Sequence, residues 1–455
     1  MFIKISKSWN KLGYMNEERK NYYMNRNIKL YPYYLAFTWD IVFVWTIIIL
    51  FYTNVKGLSY SQAIFLDSLL YLSAFVLSVP VSKLISKVKP LIASQIANLF
   101  VIAFLLLVMF GTHYFTFMIA EVLFAVFMII SNVKNPIVLS DTLRLVKRDK
   151  EYNRIYGGGL GMYFFIDAIC CIFATYIYQF NPYICFIAAI IVMVLVELFS
   201  LLLKEPSKFQ ESNIDLNTKN IESSNKQKSN KKRSFKKKTF LSAFIISMLA
   251  YCVIFRGMCA IDSNVLKIYL QELTDNAIIP LWSFGILYAG YRLSNSLASK
   301  FQFKYELKFG VRSLIIFCLI GIIAIVGTGL IYLFAPINVV TIIIMLVLLY
   351  LFSSIRPANH VFIMNYLQVC LPSKDLDQGY TYKNMAEYLG YGMCSSIYSI
   401  LLSAFNDNFA YSNLVYAGII IIPLLLSLIF FIRALVKKYA EKYTVIKKEY
   451  VEDEF

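Results

Sequence analysis

Histidine occurs only twice in 455 residues, as His113 and His360. The two lie far apart, each at the end of an apolar run, so a histidine-based catalytic pair or metal centre is not expected. The eight cysteines show no Cys-x-x-Cys spacing, which argues against a thiolate metal site and a disulfide framework; they read as small core hydrophobes. Acidic charge is scarce, with 27 Asp and Glu against 44 Lys and Arg. Charged residues of both signs make up 16% of the chain, too few to coat a water-soluble surface. A phosphate-binding loop is missing as well. Gly157, Gly158, Gly159 and Gly161 form a glycine cluster, but no Lys-Ser/Thr follows it and no strand precedes it. Small residues that let helices approach closely explain it better. Residues 1–30 are polar and basic, with no apolar signal-peptide core, so the first apolar run is expected to act as the insertion signal.

What the chain does have is apolar length. It is 59% hydrophobic with a mean hydropathy of +0.63, so its solvent must be largely lipid. Crossing about 30 Å of hydrocarbon takes roughly 20 apolar residues in a helix. Runs of that size fall at 31–52, 60–82, 91–110, 113–133, 156–178 and 183–203, and again at 239–261, 279–299, 313–334, 337–355, 381–405 and 412–436. These are continuous runs without strand alternation, which argues against a β-barrel. The expected fold is all-α and polytopic, with twelve transmembrane helices in two six-helix bundles. The first bundle covers 31–203 and the second 239–436. Segments 1–30 and 437–455 flank them, and a basic flexible linker covers 204–238.

The net charge of +17 follows topology and does not signal nucleic acid. When loops are assigned alternately to the two sides, 40 of the 44 Lys and Arg fall on the side of the termini, and only Lys56 and Lys267 on the other. Arg256 and Arg292 lie within runs. This is a strong positive-inside pattern. It predicts a multi-pass protein of the plasma membrane with both termini cytoplasmic. The bilayer is its expected partner, and a monomer is the expected state.

The halves also resemble each other. Pro136 precedes Asp167 by 31 residues, and Pro357 precedes Glu387 by 30. Each proline is read as the end of a run and each acid lies in the next one. The connections 134–155 and 356–380 are expected to hold short interfacial helices. Parallel six-helix repeats are one established transporter plan, with the site at their interface.

Several stretches carry a family resemblance: Ala36 to Asp40, Lys56 to Gln62 with Asp67, Tyr163 to Ala168, and Arg356-Pro357 through Leu371-Pro372. Over roughly 31–436 the chain resembles a major facilitator superfamily transporter, and within that superfamily poorly characterised members from low-GC Gram-positive bacteria. Where the family has its Gly-x-x-x-Asp-Arg-x-Gly-Arg loop, this chain has Ser82 for the first Gly and Ser86 for the Asp. Lys87 keeps the basic character and is a gating candidate. No Pro occurs between Pro136 and Pro182, so the fifth-run proline motif of drug/proton antiporters is absent.

Ionisable groups at membrane depth are costly and mark function. Asp40 lies halfway along the first run, directly after Trp39, and is the leading candidate for substrate or proton binding. Asp167 lies midway in the fifth run, with Tyr163 one turn earlier on the same face. Arg292 is central in the eighth, flanked by Tyr288 and Ser296 at one-turn spacing; it is expected either to pair with an acid or to meet an anionic ligand. Arg256, near the outer end of the seventh run, is expected to form a rim pair with Asp262. Asp67 and Glu121 lie in the outer halves of runs two and four and are gating candidates. Glu387 joins them, with Lys383 placed for an i, i+4 pair.

Four deep acids, Asp40, Asp67, Glu121 and Asp167, outnumber two deep arginines. That balance favours proton coupling and efflux of a cationic or amphipathic compound by alternating access. Uptake of a small polar solute is the rival reading. Scattered acids and the lack of histidine disfavour a membrane enzyme or flippase, and a sensor with a transporter fold would bind without flux. No cofactor or metal is expected.

Overall fold

The computed structural model of the chain describes residues 2–39, 41–207, 209, 243–370, 376–405 and 408–452. Every regular element among them is helical. The first half holds α1 (Phe2–Thr38), α2 (Val44–Leu50) with a π-helical turn Phe51–Val55, α3 (Tyr60–Ile85), α4 (Pro90–Phe110), α5 (Tyr114–Leu145), α6 (Tyr152–Phe180) and α7 (Pro182–Ser200). The second holds α8 (Ala243–Met258), α9 (Asp262–Asp275), α10 (Leu281–Phe309), α11 (Arg312–Phe334), α12 (Val339–Cys370), α13 (Leu376–Ala404) and α14 (Phe409–Glu452). Most of the basic linker expected at 204–238 lies outside the described residues.

Local chemistry sets many of the starts. Ser59 and Gln62 form a reciprocal capping box at α3. Pro90 and Pro182 open α4 and α7, where a missing N–H costs nothing. Nine helical stretches among the described residues are long and apolar enough to cross a membrane. The spans at α1/α2, α10 and α13 fall outside that set. Polar residues dilute α10 and α13, and the first span is interrupted.

Two antiparallel seams join the halves, α6 against α10 and α3 against α13. The first is built on small residues. A Cβ on Gly157 would sit 3.3 Å from the Ser299 carbonyl, and one on Gly161 3.2 Å from that of Ser296. At the far end a Cβ on Gly285 would meet Thr175 Oγ1 at 1.9 Å and the Cys171 carbonyl at 2.6 Å. The glycine cluster therefore does pack helices closely: Gly159 faces Pro32 and Leu35 of α1. In the second seam Gly392 lies against Leu72, and the Tyr71 and Tyr391 rings stack at 3.7 Å.

Three expectations need correction. The first run is not one helix: it breaks between Thr38 and Val44, and Phe43 adopts φ 68°, an outlier for a bulky side chain. Trp39 and Trp45 both line the central cavity. Six residues apart on an unbroken helix, they would point about 120° from each other, so the break brings both to one place. Second, α5 and α12 run straight through Pro136 and Pro357, so 134–145 and 356–370 are continuations and not interfacial helices. Third, the seventh span extends through a 3-10 turn to Asp275. Asp262, Asn264, Lys267 and Gln271 are buried, although Lys267 reads as a loop residue. Their polar face points inward, which low hydropathy disguises as a loop.

Proline at 136 leaves the Asn132 carbonyl without its helical donor. Asn384 Nδ2 of α13 supplies one across the halves at 3.3 Å. Replacing the buried Asn384 by Leu should therefore destabilise the protein by about 1–3 kcal/mol. Adding Pro136→Ala, which returns the N–H, should recover most of it. Thermal unfolding of both variants checks this; no recovery in the double variant would refute it.

Candidate functional site

Between the halves lies a cavity of about 100 Å³. The first half contributes an aromatic wall that includes Trp39, Trp45, Tyr71, Phe124 and Phe164. Among the described residues the charged groups come from the second half: Arg256 of α8, Arg356 and His360 of α12, and Glu387 of α13. Asn132 and Asn359 add amides. The space holds a few waters or a very small solute. It is well below the roughly 300 Å³ of a drug-sized pocket, so a larger solute requires the halves to separate.

The charges are held in a graded way. Lys383 Nζ lies 2.7 Å from Glu387 Oε2 and 2.8 Å from His360 Nδ1. Because an ammonium can only donate, Nδ1 of His360 is the acceptor and the imidazole is neutral in this geometry. Its Nε2 is buried without a hydrogen-bond partner among the described residues. The Trp39 ring meets His360 edge to face at 5.4 Å. Arg256 lies over the Tyr391 ring at 4.5 Å and over Tyr71 at 5.6 Å. Its Nη2 reaches the Tyr71 hydroxyl at 3.5 Å, while its buried Nη1 has no hydrogen-bond partner among the described residues. In place of the expected Arg256–Asp262 pair, Asp262 lies 4.0 Å from Arg356.

Other expected residues lie elsewhere. Asp167 and Arg292 form an ion pair at 2.6 Å, 0% and 1% exposed, in the middle of the α6/α10 seam. Of the two readings left open for Arg292, the structure takes the acid partner. Tyr163 is buried one turn before Asp167. Tyr288 lies under Arg292 at 5.4 Å, and Ser296 donates to the Gly161 carbonyl at 2.7 Å, so the stripe Tyr288–Arg292–Ser296 serves the seam.

Asp67 accepts from Tyr391 at 2.7 Å and from Asn264 at 3.3 Å. Glu121 accepts from Tyr52 at 3.0 Å. These two acids line a separate small cavity of about 20 Å³ with Lys267, large enough for about one water. Lys87 is exposed in the turn after α3. Asp40 lies outside the described residues.

Sequence reasoning passed over Arg356 and Asn359, and set His360 aside, because it placed 356–380 in a connection; Asn132, inside the fourth run, carries no charge to single it out. One signal was available: Arg356 and His360 are spaced i, i+4 and share a helical face.

Comparison with known proteins agrees with this architecture. The family model of the Major Facilitator Superfamily matches residues 30–392. No curated protein sequence matches the chain. Among solved structures, that of a mutant form of the nucleoside transporter NupG is similar, with a TM-score of 0.62 and 12% identity, covering 89% of this chain and 100% of that one. At that identity the likeness speaks for the fold alone. With its many apolar spans among the described residues and a family match over most of its length, the chain belongs to the Major Facilitator Superfamily and is a multi-pass membrane transporter, not an enzyme.

Proposed function

We propose that the chain moves a small polar solute that presents an anionic or acceptor-rich group to Arg256 and Arg356 and a flat apolar surface to the tryptophans. The observation that carries this reading is Arg256, whose guanidinium lines the central cavity with an N–H that no described residue accepts. A guanidinium favours planar acceptors, which it can meet with two N–H groups at once. The earlier preference for a cationic substrate rested on acids lining the path. Asp167 is instead neutralised by Arg292, and Asp67 and Glu121 lie in the smaller cavity.

Transport would proceed by alternating access, driven by an ion gradient. Asp167 and Arg292 suit the role of a pivot. They lie about 15 Å from the Gly157 end of the seam and about 12 Å from the Thr175 end, at 1.5 Å per residue, so a rocking motion displaces them least. Protons remain the proposed coupling ion. Glu387 and His360 face the cavity and suit that role better than Asp167. Asp40 keeps its place as a coupling candidate.

Purified protein in proteoliposomes, under an imposed pH gradient of either sign, tests both directions. The panel should include organic anions, nucleosides and amphipathic cations. Flux of an anionic or acceptor-rich solute is expected, and Arg256→Ala should reduce it about tenfold to a hundredfold, the worth of a charged hydrogen bond. Arg256→Lys should keep part of it. Flux confined to cations and indifferent to Arg256 would overturn the substrate class. Flux without accompanying proton movement would overturn the coupling.

A further inference from the structure

A second concavity among the described residues is larger than the central one. On the outer face of the second half, α10, α11 and α12 leave a groove of about 920 Å³. Its floor is apolar, with Leu297 and Phe301 from α10, Phe317 and Ile320 from α11, and Val347 and Leu351 from α12. In a bilayer such a groove faces acyl chains, which fill it at no cost in hydrogen bonds.

One end of the groove is built differently. Lys304 and Lys308, one turn apart on α10, line it together with Ser313. The first turn of the 23-residue α11 begins here, and its N-cap, Val311, offers no side-chain hydrogen bond. That end of the helix carries partial positive charge. Ser313 is 2% exposed, and its hydroxyl has no hydrogen-bond partner among the described residues. Among the described residues that line the groove there is no acid. Glu306, on the same helix, is turned away and accepts from Gln302 and Asn365 at 2.7 Å each.

The geometry points to a binding site for an anionic phospholipid. Its phosphate would sit between Lys304, Lys308, the Ser313 hydroxyl and the α11 N-terminus, with an acyl chain lying along the apolar floor. Charge at one end and hydrocarbon along the rest match a lipid and not a free anion. The occupant would brace α10, the helix that carries Arg292 and one face of the seam. This inference does not depend on which solute the central cavity takes.

Native mass spectrometry of the full-length protein in detergent tests it, with phosphatidylglycerol, phosphatidylcholine of the same chains, and glycerol phosphate as probes. Phosphatidylglycerol should be retained in preference to phosphatidylcholine. Lys304→Gln with Lys308→Gln should weaken retention by roughly fivefold per lysine. Lys304→Arg with Lys308→Arg should preserve it, and Lys83→Gln in the other half should leave it unchanged. Equal retention of the two lipids would overturn the proposal. So would retention unaffected by the double Gln variant, or binding of glycerol phosphate as tight as that of the intact lipid.

Discussion

Arg292→Ala is expected to destabilise the protein by about 3–5 kcal/mol, the cost of leaving one partner of a buried ion pair uncompensated. Asp167 is 0% exposed, so removing the guanidinium leaves its carboxylate buried without that counter-charge. Tyr288 and Tyr291, the buried rings that lie under Arg292 at 5.4 and 5.7 Å, carry no charge that could take its place. The double variant Asp167→Asn with Arg292→Gln removes both charges and should recover most of the loss, because the pair's own attraction is largely offset by desolvation. Thermal unfolding in detergent, followed by tryptophan fluorescence, measures all three proteins. A single variant as stable as the parent would mean that the pair is solvated and is not a pivot. Transport should separate structural from mechanical roles. If the pair only supports the fold, the stable double variant transports at the parent's rate. If it guides the rocking motion, flux stays depressed after stability returns.

Gly285→Ala should have a comparably large effect from a single methyl group. The new Cβ would lie 1.9 Å from Thr175 Oγ1 and 2.6 Å from the Cys171 carbonyl. The hydroxyl can move but the carbonyl belongs to the backbone of α6, so the helices must separate at that end. Overpacking of this kind costs about 1–3 kcal/mol. Flux should fall further than stability, because the substitution wedges apart one end of the seam along which the halves must close. Thr175→Ala should rescue it in part, since it removes the hydroxyl and leaves the carbonyl. Gly158→Ala is the control: nothing lies within 4 Å of its Cβ position, and alanine favours a helix by about 1 kcal/mol. Parent-like stability and flux for Gly285→Ala would show that the seam is looser than described.

The spans could be read from the sequence because hydropathy is a local property that needs no knowledge of neighbours. Runs such as 91–110 and 313–334 coincide with α4 and α11 to within a residue. The errors arise where a local signal is overridden from a distance. Pro136 looks like a helix end, yet the helix continues, with Asn384 supplying a donor to the freed carbonyl from 252 residues away. The stretch after Ile261 looks like a loop because Asp262, Lys267 and Gln271 are polar. They are buried against the other helices, which an average over a window cannot detect.

The candidate site divides along the same line. Sequence alone indicated that the few deep charges matter, since membrane depth makes an ionisable residue expensive wherever it sits. It also named the Lys383–Glu387 pair, because i, i+4 spacing is a property of one helix. It left open whether Arg292 meets an acid or a ligand. That question turns on whether α6 and α10 touch, and they do so through Gly157, Gly161 and Gly285, small enough to bring Asp167 within 2.6 Å.

Composition and hydropathy determined the class and the positions of most spans, because both depend only on transfer from water to lipid. Tertiary packing decided which charges are neutralised and which face the cavity. Neutralisation falls off steeply with distance, and the distances between helices are set by contacts that no single segment contains.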